Sequence, residues 1–227
     1  MPFEKALAAV LESGTSYIGQ LAIRKWNHGF VLTHRDDSRN GDLQIAGGGL
    51  ETAAPLETFR NPEHAAEIAR YDVAGNYRPL KTAPNLRRGW RLEVVDLGEL
   101  RRALDYFYPG RLGVFAAWKE NQLTTTPLRE TLDRQSGMYR VAAKISDQEV
   151  DRVVGDFCKS DGGCLRTILW KRDKGGAVSS TRLPPEKFDP AHDQTGRAEN
   201  AIPLLCQEIC SLLLNECRKA VKMTKPE

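Results

Sequence analysis

The sequence predicts an α+β protein, with a small mixed domain over residues 1–95 followed by a mainly helical domain over residues 96–227. Three observations support this. Short apolar runs bounded by turn residues crowd the first part of the chain. Apolar residues recur at helical spacing through most of the rest. The length of 227 residues suits one large domain or two modest ones.

The N-terminal elements follow in order. MPFEKALAAVLES carries Glu4, Lys5 and Glu12 inside its apolar pattern, which makes it an amphipathic helix and not a signal peptide. A hairpin spans Tyr17 to Leu32, with His28 and His34 as exposed residues bracketing the strand FVLT. The polar run HRDDSRNGD is a turn, and Leu43 to Ile45 form a short strand. Gly47, Gly48 and Gly49 form a turn and not a phosphate loop, because no Lys-Ser/Thr follows them. A helix lies near Pro62 to Tyr71, with Asn61 as its cap and Pro62 in its first turn.

The C-terminal part is read the same way. Asp96 opens a helix over DLGELRRALDYFY, and Pro127 opens the next. Arg129, Arg134 and Arg140 on that second helix are ion-paired surface residues. Ser146 with Glu149 three residues on is a capping box for a helix running towards Cys158. A Gly162-Gly163 turn follows, then LRTILW as a buried strand. Residues 171–200 are a polar insert of lid or disordered character. The run IPLLCQEICSLLLNECRKAVK is a helix with Pro203 in its first turn. Trp26, Trp90, Trp118 and Trp170 are core or shielding residues.

Composition excludes several function classes. Lys plus Arg exceed Asp plus Glu by 33 − 30 = 3, with no concentrated basic stripe, which argues against a nucleic-acid surface. No run approaches the ~18 uninterrupted apolar residues of a spanning helix, so a cytoplasmic protein without a membrane partner is expected. HExxH and GxSxG are absent, which removes the zinc-protease and hydrolase signatures.

The cysteines carry the chemistry. Cys158, Cys164, Cys206, Cys210 and Cys217 all lie in the last third of the chain, and the first 157 residues have none. An odd number without an export signal argues against a disulfide framework. Four of them form two short pairs, Cys158-x5-Cys164 and Cys206-x3-Cys210, a pattern that thiolate-seeking metals use. On a helix, Cys206 and Cys210 face one side a turn apart. Cys217 then lies ~16 Å from Cys206 along the same axis, too far for one small cluster, and is a core thiol. The residues alone leave an iron–sulfur cluster, a zinc ion and unligated core thiols open. The cluster is favoured because both pair spacings depart from the usual zinc knuckle.

The context of the cysteines adds a resemblance. Thr126 to Ala142, Cys158, the run Cys164-Leu165-Arg166, Trp170, and Cys206-Gln207-Glu208-Ile209-Cys210 resemble the C-terminal [4Fe–4S] domain of some CbiX-like, sirohydrochlorin chelatase-related proteins. Ala74 to Trp90 and Leu100 to Trp118 resemble the stabilising domain that accompanies it. The likeness covers most of the chain and implies one [4Fe–4S] cluster held by Cys158, Cys164, Cys206 and Cys210. It also implies electron transfer or redox sensing with a redox partner protein, and an association with tetrapyrrole or metal-cofactor metabolism. A structural-metal interaction module is the alternative. The chain departs from the family in leaving no room for a chelatase module and in having Gln207 where the family has proline. His28, His34, His64 and His192 show no paired metal-insertion spacing. The nearby cations Lys159, Arg166, Lys171 and Arg172 are expected to offset the cluster's negative charge.

Overall fold

A computed structural model describes residues 7–8, 11–12, 14–26, 29–37, 55–72, 74–77, 85–159, 164, 166–175 and 201–223. The predicted strand at Leu43 to Ile45, the Gly47 to Gly49 and Gly162-Gly163 turns, residues 176–200 of the insert, His28 and His192 lie outside these. So does most of the predicted opening helix, although Leu7, Ala8 and Leu11 are helical and both leucines are buried in the first core.

The fold is α+β. Its N-terminal sheet contains β1 (Thr15–Ile18), β2 (Leu21–Trp26), β3 (Gly29–His34), β4 (Glu57–Phe59) and β5 (Trp90–Val94), joined by β7 (Ala201–Ile202) from the far end of the chain. The spatial order is β4-β5-β3-β2-β1-β7. The predicted hairpin is a three-stranded meander, because Gly19 and Gln20 make an additional tight turn between β1 and β2. Gly19 takes a positive φ of 55° there, a conformation that costs glycine little. Along β5, Trp90, Leu92 and Val94 alternate inward.

Three helices cover or flank this sheet. Asn61 Oδ1 accepts the Glu63 N–H at 2.9 Å in the turn leading into α1 (His64–Ile68). Helix α2 (Leu97–Phe107) is capped by Asp96, whose side chain accepts from Glu99 N, while Glu99 Oε2 accepts from Val95 N. Its buried face of Leu100, Ala103, Leu104 and Phe107 completes the first core, where Phe107 stacks on Trp90 with centroids 5.3 Å apart. Helix α3 (Arg111–Lys119) adds Leu112 and Phe115 to the same core. The sequence reading placed α2 and α3 in the second domain. Their apolar faces instead join them to the sheet.

The second core is helical. It is built from α4 (Leu128–Asp133), a 3-10 segment (Gly137–Lys144), α5 (Asp147–Val153), a π-helical turn (Val154–Lys159) and α6 (Ser211–Met223). A two-strand parallel pair, β6 (Thr167–Ile168) with β8 (Leu205–Cys206), lies beside them. The Ser146–Glu149 capping box opens α5 as the sequence predicts. The first N–H groups of α4 are satisfied by distant carbonyls, Leu128 N by Lys171 O and Arg129 N by Arg172 O, at 2.7 and 2.8 Å. Arg129 pairs with Asp147 and Arg134 with Glu130, in line with the surface reading, and Arg140 is exposed.

Three further expectations are corrected. His34 is not exposed: it is 2 % accessible, and its Nδ1 accepts the Asp36 N–H. Trp26 is not a core residue. It is 48 % exposed at the end of β2, under the Arg91 guanidinium. The third correction concerns Cys206 and Cys210, which do not share a helix. Residues 202–205 are buried one after another, because this stretch is extended between the two cores and pairs with β1 through β7 and with β6 through β8. A helix there would present only one side to a core and would lose both strand pairings.

Candidate metal centre

Three local structures position the four cysteines. Cys158 sits in the π-helical turn that continues α5. Such turns rearrange the backbone hydrogen-bonding ladder, and here the carbonyls of Phe157 and Cys158 accept from Cys164 N and Arg166 N, each at 2.5 Å. These two bonds close the chain between the first two cysteines, so Cys164 is held near Cys158. Cys206 is placed by β8, opposite Ile168, and its carbonyl accepts Leu169 N at 3.0 Å. Cys210 is the N-cap of α6, since its carbonyl accepts Leu214 N.

The four thiols share one electrostatic neighbourhood. Burial, followed by the charges of Cys206, Cys164, Cys210 and Cys217, pushes the Cys158 thiol far above its ordinary range. Cys164 rises to about 11, again mainly by burial, with Cys210 and Cys206 adding to it and Arg166 and Arg111 opposing it. Cys206 is raised by burial and by Cys210 against the pull of Trp170, Arg111 and Arg166. As a thiol, Cys206 donates to the Glu208 carbonyl at 3.2 Å. Cys158 and Cys164 are buried, Cys206 is half-buried and Cys210 is exposed.

Cys217 also senses Cys210, but it lies fully buried on the inner face of α6 among the second-core residues. It is two helical turns from Cys210, roughly 10 Å along the axis. The ~16 Å separation from Cys206 does not apply, because the helix begins at Ser211.

Two guanidinium groups face the thiols. Arg166 is 6 % accessible, and the charges that act on it are those of Arg111, Cys164, Tyr108 and Cys206. Arg111 stands on α3 and donates from Nη1 to the Leu205 carbonyl at 3.0 Å. Of the other cations nominated from the sequence, Lys159 is buried and Lys171 is exposed. Arg172 is committed to Asp151 and Asp147. Sequence reading misses Arg111 altogether. Its one signal is a cation in the first turn of a helix, which opposes the helix dipole.

The donor set fits an anionic, thiolate-bound group. Among the described residues, no three Cys, His, Asp or Glu side chains converge to hold a single metal ion. The Trp170 indole adds a second sign. Its Nε1 is buried and makes no well-formed hydrogen bond, yet its N–H is close enough to Cys206 to favour the thiolate. A buried donor left short of an acceptor calls for an unseen acceptor, and cluster sulfur is one.

Comparison with known proteins agrees with this chemistry. The family model described as a 4Fe-4S iron-sulfur cluster binding domain matches residues 120–219. The family model of the DR2241 stabilising domain matches residues 3–122, more than half of the chain. The chain belongs to the DR2241 stabilising-domain family. Its second half is a [4Fe–4S] cluster-binding domain. The two family matches meet near residue 120, and the first core also takes Leu169, Ile202, Leu204 and Leu205 from beyond that point. The crystal structure of DR2241 from Deinococcus radiodurans matches with a TM-score of 0.65 and 25 % identity, covering 97 % of this chain and 41 % of that one. That protein is described as multi-domain, similar in structure to chelatases, with two additional novel domains. The present chain spans less than half of its length. No curated protein matches. Among the described residues, no helix is long and apolar enough to cross a membrane.

Proposed function

We propose that Cys158, Cys164, Cys206 and Cys210 hold one [4Fe–4S] cluster that transfers or senses single electrons in the cytoplasm. When bound, the cluster supplies a one-electron couple, and four thiolate ligands occupy every iron, so no iron is open to a substrate. The observation that carries this reading is that backbone hydrogen bonds hold Cys164 against the Cys158 turn and Cys206 beside the strand after Cys164, with Cys210 four residues on and the Trp170 N–H close to Cys206. Cys210 is the exposed corner, and a redox partner protein would exchange electrons from that side. Anaerobic reconstitution with iron and sulfide, followed by iron and sulfide analysis and a redox titration, tests it. Brown protein with a reversible midpoint potential is expected. Colourless protein that takes up zinc instead overturns it, and a site that holds the fold without redox activity would be a structural module.

A second reading has its own support. The likeness to DR2241 runs over nearly the whole of this chain, and that larger protein is described as chelatase-like. This likeness supports an accessory role in tetrapyrrole or metal-cofactor metabolism, in which the cluster serves a metal-inserting enzyme. A changed insertion rate when holo protein is added to such an enzyme would support it.

A further inference from the structure

The two halves of the chain meet at the cluster-binding segment itself. Strand β7 pairs with β1 in the N-terminal sheet, Leu204 and Leu205 enter the first core, and Cys206 follows at once. Arg111 reaches this junction from α3. It is the first residue of α3, which the first core anchors through Leu112 and Phe115. Its Nη1 donates to the Leu205 carbonyl at 3.0 Å, one residue before a proposed ligand.

This position is costly for a cation on its own account. A positive charge in the first turn of a helix is opposed by the helix dipole. A second guanidinium, Arg166, lies near enough for the two to repel each other. Cys164, Tyr108 and Cys206 also act on Arg166. Both cations act on Cys164 and Cys206, so Arg111 stands beside two of the proposed ligands, and thiolate-bound iron–sulfur centres are anionic.

We propose that Arg111, supplied by the stabilising domain, is a positioning residue for the cluster: it holds the Leu205–Cys206 strand in register and raises the cluster's reduction potential. This rests on the four-cysteine reading above. The side chain acts in two ways. Its hydrogen bond fixes the carbonyl beside Cys206, and its charge favours the more negative, reduced state. The stabilising domain then contributes to the electrochemistry of the site as well as to its folding.

The test compares wild-type protein with Arg111→Met and Arg111→Lys after anaerobic reconstitution, reading iron content, far-ultraviolet circular dichroism and midpoint potential. Arg111→Met is expected to shift the potential to a more negative value, with Arg111→Lys restoring most of the shift because it keeps the charge and a donor. An Arg111→Met protein that folds but no longer retains iron, while Arg111→Lys retains it, also supports the assignment. Equal potentials and equal iron in all three overturn the Arg111 assignment and leave the cluster reading intact. If Arg111→Met fails to fold, Arg111→Gln, which retains a donor without the charge, takes its place: a wild-type potential overturns the assignment, and a lowered one supports it. Wild-type protein that takes up no iron overturns both.

Discussion

Cys206 lies opposite Ile168 in the parallel pairing of β8 with β6, and its carbonyl accepts the N–H of Leu169 at 3.0 Å. The strand that follows Cys164 therefore fixes the backbone of Cys206 directly. The Cys158 carbonyl is tied to Arg166 N within the same stretch of chain. The route from Cys158 through Cys164 to Cys206 is a continuous set of backbone hydrogen bonds. Only Cys210 is placed otherwise, by the start of α6.

The first prediction separates the cysteines. Replacing Cys158, Cys164, Cys206 or Cys210 by Ala is expected to abolish or strongly reduce iron binding after anaerobic reconstitution. Cys217 is fully buried in the second core, so Cys217→Ala should keep the iron and cost about 1 kcal/mol of stability. Loss of iron in Cys217→Ala with retention in Cys206→Ala would contradict the ligand assignment.

What the sequence reveals depends on how local each signal is. The capping box at Ser146, the helix opened by Asp96 and the alternating strands are written in neighbouring residues, and all are readable from the chain alone. Cys206 and Cys210 show where this fails. Their run has a strong helical period, but Ile202, Leu204 and Leu205 are buried in the first core, and the stretch is held by two distant strands. Tertiary pairing overrides local propensity there. The thiols themselves are legible because cysteine is rare and its pairing in sequence is conspicuous. Arg111 has only the weak signal of a cation in a first helical turn, since it reaches the site from a helix that begins about fifty residues before Cys164.

The second prediction concerns pH. Burial holds the His34 pKa below its ordinary value of 6.5, against the opposing pull of Asp36 and Asp37. A depressed folded-state pKa means that the unfolded chain takes up the proton first. Stability is then unaffected by His34 above pH ~6.5 and is lost as pH falls below it. Denaturant melts across this range should show wild-type protein losing more stability on acidification than His34→Gln, whose amide oxygen can still accept the Asp36 N–H. Parallel pH profiles would mean that His34 does not titrate differently on folding.

Gly19 provides the third. A β-carbon there would come within 2.5 Å of Tyr108 Oη and 2.7 Å of Leu204 Cδ1, at a φ of +55°. Tyr108 Oη also accepts the Gln20 N–H at 2.9 Å. Gly19→Ala combines left-handed strain with overpacking and should cost roughly 2–4 kcal/mol. Leu204 leads into Cys206, so the same variant should bind iron less tightly than wild type. A melting temperature and iron retention equal to wild type would show that the turn relaxes without disturbing β8.

The fourth prediction turns on Trp170. Its ring is fully buried in the second core, to which Ile168 and Cys158 also belong, and its Nε1 lacks a well-formed partner while favouring the Cys206 thiolate. Phenylalanine keeps an aromatic ring and removes only the N–H and some volume. The lost volume should cost about 1–2 kcal/mol. The lost N–H should do something a packing defect would not. Donors directed at cluster sulfur stabilise the reduced state, so Trp170→Phe is expected to lower the midpoint potential at unchanged iron content. Trp170→Leu, a second packing defect without the donor, should lower it similarly despite a larger loss of stability. If the potentials of both variants match wild type while only their stabilities fall, Trp170 serves the core alone, and its unpartnered N–H has no part in tuning the centre.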